Sequence, residues 1–183
     1  MPVSEQTFKQ VALEDPEGHW ELHCGELRSK PGMTEEHNDL SMELAYLLRH
    51  QLKRSEFRVR QNTSHVRRSE LHYYTPDVTV LPAEAALQQR GTGKLETYSV
   101  PLPLVIEIWS RSTGDYDVRD KLPEYRRRGD LEIWFIHPYE KTLTAWRRRQ
   151  DGSYRETRHH DGIIRPAALP GVTIDLDALF KEI

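Results

Sequence analysis

Two acids stand out by where they lie. Glu107 sits inside an apolar run, Leu104-Val105-Ile106-Glu107-Ile108-Trp109, and Asp77 follows Pro76 at a bend in the otherwise apolar stretch from His72 to Leu81. A charge in a buried strand is costly unless a metal, a base or a donor pairs it. Two carboxylates converging at a sheet edge make an oxygen-rich site for a hard divalent cation, Mg²⁺ or Mn²⁺, to which the backbone carbonyl of Ile108 could add a ligand. Such an ion polarises a phosphoryl oxygen and lowers the pKa of bound water. Lys121, one helix later, carries an ammonium that could orient that water or offset charge growing on a phosphate. Each residue also has an ordinary reading. Pro-Asp is a common turn dipeptide, Glu107 could belong to a structural ion pair, and Asp117 lies four residues before Lys121 as in a helix-surface pair.

The segment that must position these groups runs from Pro101 to Pro138 and reads as strand, loop, helix, strand. A crossover of this length implies two parallel strands in one sheet. The end of the first strand and the following helix then meet at the sheet edge where open α/β sheets place their sites. Pro123 implies that the helix begins near Leu122 or bends there, because proline is easy in a first helical turn and costly later.

The flanking sequence supplies the rest of a fold. Residues 1 to 18 read as a short helix or arm, and residues 19 to 183 as one domain. His19 to Ser29 reads as a hairpin turning at Cys24-Gly25. Thr34 reads as the N-cap of a helix with Glu35 and Glu36 in its first turn and a stripe of Leu40, Leu44, Leu47 and Leu48. Phe57 to Gln61 alternates as a strand. His72 to Leu81 reads as another, which Pro76 restricts to an edge or a bend. Residues 82 to 100 read as a polar connection with a short helix at Ala83 to Gln89, able to cover a site. Leu143 to Trp146 and Ser153 to Glu156 make an added antiparallel hairpin around Asp151-Gly152, and a last short helix spans Leu176 to Phe180.

Composition narrows the classes. With 183 residues, 37% hydrophobic and 30% charged, the chain can build one domain with a real core. No apolar run reaches the ~20 residues of a membrane span. The first residues, MPVSEQTFKQ, lack the apolar core of a secretion signal, and a cytoplasmic location is the simple inference. The single cysteine, Cys24, excludes an internal disulfide framework and a cysteine-rich zinc site, and reads as a small buried or half-buried side chain. The net charge of -3 is unevenly placed, with basic groups at Lys53, Arg54, Arg58 and Arg60, at Arg67 and Arg68, at Arg126 to Arg128 and at Arg147 to Arg149. Such patches suit phosphates, or are simply solvated surface. His159-His160-Asp161 reads as loop or surface, and Trp134 and Tyr125 as core.

Taken in order, TPDVTVL, PLVIEIWS, DVRDKLPEYRRRGDLEIWFI and LPGVTIDLDALF resemble the bacterial Uma-two family, a branch of the PD-(D/E)XK restriction-endonuclease-like superfamily. HWELHCGELRSKPGMTEEHNDLSMELAYLL resembles the family's opening strands and its histidine-bearing first helix. The resemblance implies an α/β fold with a central mixed sheet flanked by helices, and a metal-dependent nuclease site. In it Asp77 matches the motif aspartate, Glu107 the motif glutamate, Lys121 the helix lysine and His37 the first-helix histidine. The superfamily usually carries lysine two residues after the glutamate, where this sequence has Trp109.

The expectation is therefore an Mg²⁺- or Mn²⁺-dependent endonuclease acting on nucleic acid, DNA for preference, with Asp77, Glu107 and Lys121 catalytic and Asp77, Glu107 and Ile108 on the metal. Analogy with double-strand cutting suggests a homodimer. The rival expectations are a nuclease fold that only binds nucleic acid or protein, and a hydrolase of another phosphate ester.

Overall fold

A computed structural model describes residues 1–181 and 183. The chain opens with α1 (Glu5–Glu14), capped by Ser4, and a single 3-10 turn. The expected hairpin follows as β1 (Trp20–His23) and β2 (Glu26–Ser29). Helix α2 (Glu35–Gln51) begins where the sequence predicts, with Thr34 Oγ1 accepting the His37 N–H, and turns Leu40, Leu44 and Leu48 inward. Then come β3 (Phe57–Gln61), β4 (His65–Ser69), β5 (His72–Tyr74), β6 (Val78–Pro82), α3 (Ala83–Leu87), β7 (Thr97–Tyr98) and β8 (Leu104–Ile108). The crossover comprises α4 (Gly114–Tyr116), a π-helical turn (Asp117–Lys121) and α5 (Leu122–Arg128). It leads into β9 (Glu132–His137), β10 (Thr142–Arg148), β11 (Tyr154–His159), β12 (Ile163–Ile164), β13 (Ile174–Asp175) and α6 (Leu176–Leu179).

The main sheet has the order β11-β10-β9-β8-β6-β3. It is mixed: β8 and β9 run parallel, as the crossover requires, and the other neighbours run antiparallel. A second sheet, β2-β1-β5-β4-β7, carries the opening hairpin, and β12 pairs with β13. Alternation along β8 gives each face of the main sheet its own core. Leu104, Ile106 and Ile108 pack with the leucines of α2 and the C-terminal segment. Val105 packs on the other face with Leu122 and Tyr125 of α5 and Tyr74 of β5. Glu107 shares the Val105 face and so is directed toward α5.

The stretch His72 to Leu81 is not one strand. It divides into β5 in the second sheet and β6 in the main sheet, and β6 is interior, between β8 and β3. Pro76, with no N–H to donate, occupies the corner between the sheets, where no ladder bond is asked of it. Strand β4 was not predicted, because HVRRS lacks an apolar alternation. The connection 82–100 does not cover the acids. Its β7 pairs with β4, and Leu95 packs near Phe8, Leu22 and Tyr73. Phe8 of α1 is itself buried there. No helix among the described residues is long and apolar enough to cross a membrane.

Candidate active site

Asp77, Glu107 and Lys121 come together. Val78 pairs with Ile106, which carries Asp77 to the level of Glu107 on the neighbouring strand. All three side chains are buried. The Ile108 N–H donates to Asp77 Oδ2 at 2.7 Å, and His37 Nε2 of α2 lies 3.1 Å from the same oxygen. Lys30, just past β2, donates to Asp77 Oδ1 at 2.6 Å, to Asn62 Oδ1 at 2.8 Å and to the Thr75 carbonyl at 3.0 Å.

Lys121 Nζ lies 3.0 Å from Glu21 Oε1, 3.1 Å from Asp117 Oδ1 and 3.3 Å from Glu107 Oε1. The Asp117–Lys121 pair is thus buried rather than on a helix surface. The π turn explains both this and Pro123. The Leu122 N–H bonds the Asp117 carbonyl five residues back, α5 then starts at Leu122, and Pro123 falls in its first turn where its missing N–H costs nothing. Tyr125, one turn on, donates its hydroxyl to Glu107 Oε1. Glu107 Oε2 is buried and has no hydrogen-bond partner among the described residues.

Four buried carboxyls (Glu21, Asp77, Glu107, Asp117) therefore share two buried ammonium groups (Lys30, Lys121). If all ionise, negative charge is in excess by two to one. The titration of the groups reflects this. Burial pushes Glu107 up to about 8, against the pull of Lys121, with Asp117 and Asp77 adding to the rise. Burial also raises Asp117. Asp77 is buried too, but Lys30 and His37 together hold its carboxyl below the ordinary value. For Lys121, burial opposes the charge, yet Asp117, Glu107 and Glu21 hold its pKa well above normal.

Glu21, Lys30 and Lys121 of the cluster face a cleft of about 360 Å³ lined also by Arg28, Ser112 and Tyr116, while Glu107 and Asp117 line a separate cavity of about 180 Å³ with Trp109, Phe135 and Trp146. The loop after β8 is shaped by Ser110, whose Oγ accepts the Thr113 N–H at 3.2 Å. Trp109, in place of the motif lysine, stacks on His137 with ring centroids 4.3 Å apart, and its indole nitrogen would lie 2.0 Å from a Cβ on Gly114. It is a packing residue with no group able to donate to a phosphate in the manner of an ammonium.

Sequence reasoning did not single out Glu21 or Lys30, which lie on opposite arms of the opening hairpin. A buried acid at an alternating position of β1, as at Glu107, was the available signal for Glu21. Lys30, beside Pro31-Gly32, has none. Tyr125, expected as plain core, is core that also holds Glu107. Glu43 is exposed and lies elsewhere on α2, with Asp39 and Gln51. His159 ends β11, away from the cluster. Much of the basic content is structural. Arg128 is buried, pairs with Asp130 and donates to the carbonyls of Tyr98 and Val100. Arg60 pairs with Glu96, Arg67 with Glu5, Arg68 with Glu124 and Arg147 with Glu132.

The chain thus combines two sheets, with Asp77 at the corner between them and Glu107 on the central strand β8. The same architecture is found in the crystal structure titled as that of "a putative nuclease belonging to DUF820" from Anabaena variabilis ATCC 29413, with a TM-score of 0.79 over 98% of each chain at 18% identity. At the level of sequence, residues 5–177 match the model of the Uma2 family, described as "Putative restriction endonuclease", and the chain belongs to that family. None of the curated proteins matches it.

Proposed function

We propose that this protein is a metal-dependent endonuclease that hydrolyses phosphodiester bonds of nucleic acid, DNA for preference, at the cluster of Asp77, Glu107 and Lys121. The observation that carries the reading is Glu107 Oε2, a buried carboxyl oxygen with no partner among the described residues, in a cluster whose carboxyls outnumber its ammonium groups. Such a donor set fits a hard divalent cation. Asp77, Glu107 and the Ile108 carbonyl are the groups that would hold Mg²⁺ or Mn²⁺. The ion would supply Lewis-acid polarisation of a phosphoryl oxygen and a water of lowered pKa. Lys121, locked by three acids, is the residue that orients the attacking water and offsets charge on the phosphate. Tyr125 and His37 hold the two acids in place. Arg28 and Ser112 at the mouth suit the backbone phosphates, contacts that give affinity rather than sequence choice. Double-strand cutting would draw on two copies, and a single unpaired thiol suits the cytoplasm.

Calorimetric titration with Mn²⁺ tests the site, and cleavage of supercoiled and linear DNA in Mg²⁺ or Mn²⁺ tests the activity. The expected result is binding and cleavage by the wild type, both lost in Asp77→Asn and Glu107→Gln. Equal titrations in all three proteins would overturn the assignment of the acids. The second reading, a fold that binds nucleic acid without cutting it, is favoured by Trp109 at the motif lysine position. It predicts salt-sensitive binding that survives loss of both acids.

A further inference from the structure

A different set of ligating side chains converges at the tip of the opening hairpin. Cys24 and Gly25 form its two-residue turn, with φ of 51° and 78°. Positive φ at both positions is the geometry that joins two antiparallel strands tightly, and residues other than Gly, Asn and Asp adopt it only at a cost. Cys24, expected to be buried or half-buried, is exposed there. Its Sγ lies 3.4 Å from Nε2 of His72 at the start of β5. The His23 ring, one residue before the turn, stands edge-on to that of His72 with centroids 5.7 Å apart. One ligand atom from each of His23, Cys24 and His72 lies within 4.8 Å of the other two.

These distances suit a tetrahedral ion. With Zn–S of about 2.3 Å and Zn–N of about 2.0 Å, the sulfur–nitrogen edge of the tetrahedron is about 3.5 Å. Cys24 and His72 already stand at that separation, and the His23 ring, whose ligand atom lies within 4.8 Å of both, closes on the ion to complete the triangle. Both imidazoles also have the outer partners that ligand histidines use to fix their tautomer. His72 Nδ1 is 2.9 Å from Ser69 Oγ, and His23 Nδ1 is 2.8 Å from the Tyr74 hydroxyl. That leaves Nε2 of His72, the nitrogen that faces Cys24 Sγ, as its ligand atom. Thiolate and imidazole select zinc-class ions over Mg²⁺ and Mn²⁺, so the site differs in kind from the carboxylate cluster. The exposure of Cys24 leaves room for a solvent molecule as fourth ligand.

We propose that His23, Cys24 and His72 bind one zinc-class transition-metal ion, which clamps the β1–β2 hairpin to β5. The clamp lies close to the carboxylate cluster. Strand β1 also carries Glu21, and the His23 ring meets that of Tyr116, at the mouth of the acid cleft, at 5.6 Å.

The test is titration of the metal-free full chain with Co²⁺, followed by displacement with Zn²⁺. Cys24 is the only cysteine, so any thiolate-to-cobalt charge-transfer band reports on this site alone and not on the carboxylates. The expected result is a band saturating at one Co²⁺ per chain, bleached by Zn²⁺, absent in Cys24→Ser and much weaker in His23→Ala. Ser69→Ala, which touches no metal, should lower affinity by about ten- to a hundredfold through its loss of hold on His72. Absence of the band, a band of equal affinity in His23→Ala, or saturation at half an ion per chain from bridging between exposed thiols would each overturn the proposal. Circular dichroism of each metal-free variant establishes that it is folded, and His23→Ala and Cys24→Ser, both at the hairpin tip, decide the matter if a variant at buried His72 does not fold.

Discussion

Replacing Glu107 with glutamine is expected to stabilise the metal-free protein, and to do so more as the pH rises. Burial pushes the Glu107 carboxyl up from 4.5 to about 8. Below the lower value it is protonated in both folded and unfolded chains and contributes no pH dependence. Between the two values the folded chain keeps a proton that the unfolded chain has lost. Stability therefore falls with rising pH through this window, by about 1.4 kcal/mol per pH unit, and the loss levels off above the folded value. Across the window it reaches on the order of 5 kcal/mol, comparable with the whole stability of a small domain. Glutamine has no proton to hold, and its amide keeps the shape of the neutral acid, with a carbonyl to accept from Tyr125 and Lys121. Urea unfolding in chelator at about pH 5, 7 and 9 measures the effect. The two proteins should be nearly equal at the lowest pH and diverge steadily in favour of the variant. Adding Mn²⁺ at the highest pH should restore the wild type and leave the variant unchanged. Parallel pH profiles would refute the reasoning, since they would mean that Glu107 ionises in the folded chain as it does in the unfolded one.

Other perturbations follow from the same geometry. Lys30→Met removes the nearest cation from buried Asp77 and should cost about 3–5 kcal/mol by chemical denaturation, whereas a loss under about 1 kcal/mol would show that His37 and the Ile108 N–H suffice. Because Asp77 is held below its ordinary value of 3.8, its contribution is present above that pH and lost in acid; Asp77→Asn should flatten the acid limb of the stability profile. Gly114→Ala would set a methyl 2.0 Å from the Trp109 indole nitrogen, and the forced shift should cost about 1–3 kcal/mol and alter the near-ultraviolet dichroism. Arg28→Ala at the mouth of the cleft should weaken DNA binding and reduce the salt slope by about one, with thermal stability little changed.

Local chemistry made much of this legible. The cap at Thr34 and the leucine stripe behind it fixed α2 within a few residues, and Cys24-Gly25 fixed the hairpin turn. The crossover length required β8 and β9 to be parallel, and they are. Glu107 stood out because an acid inside an apolar run has to be paired. The stretch from His72 to Leu81 was legible only in part: Pro76 marked an edge or a bend, but apolarity is the same in two sheets, and only the packing of β5 against β1 and β4 shows that the bend is a corner between them.

What the sequence determined by itself, then, was the set of local elements and the acids that needed partners, because capping, alternation and turn chemistry act over a few residues. Which partners those acids found was decided only in three dimensions. Glu21 lies 100 residues before Lys121 and Lys30 lies 47 before Asp77. Neither belongs to a local pattern, and each comes to its site because the second sheet folds back over the first. The π turn was hidden in the same way, since the extra residue it absorbs is set by the demand that Lys121 reach Glu107 and Glu21 while Pro123 stays in a first turn. Electrostatic pairing in a buried site acts through space, and the position of each charge is a property of the packed fold.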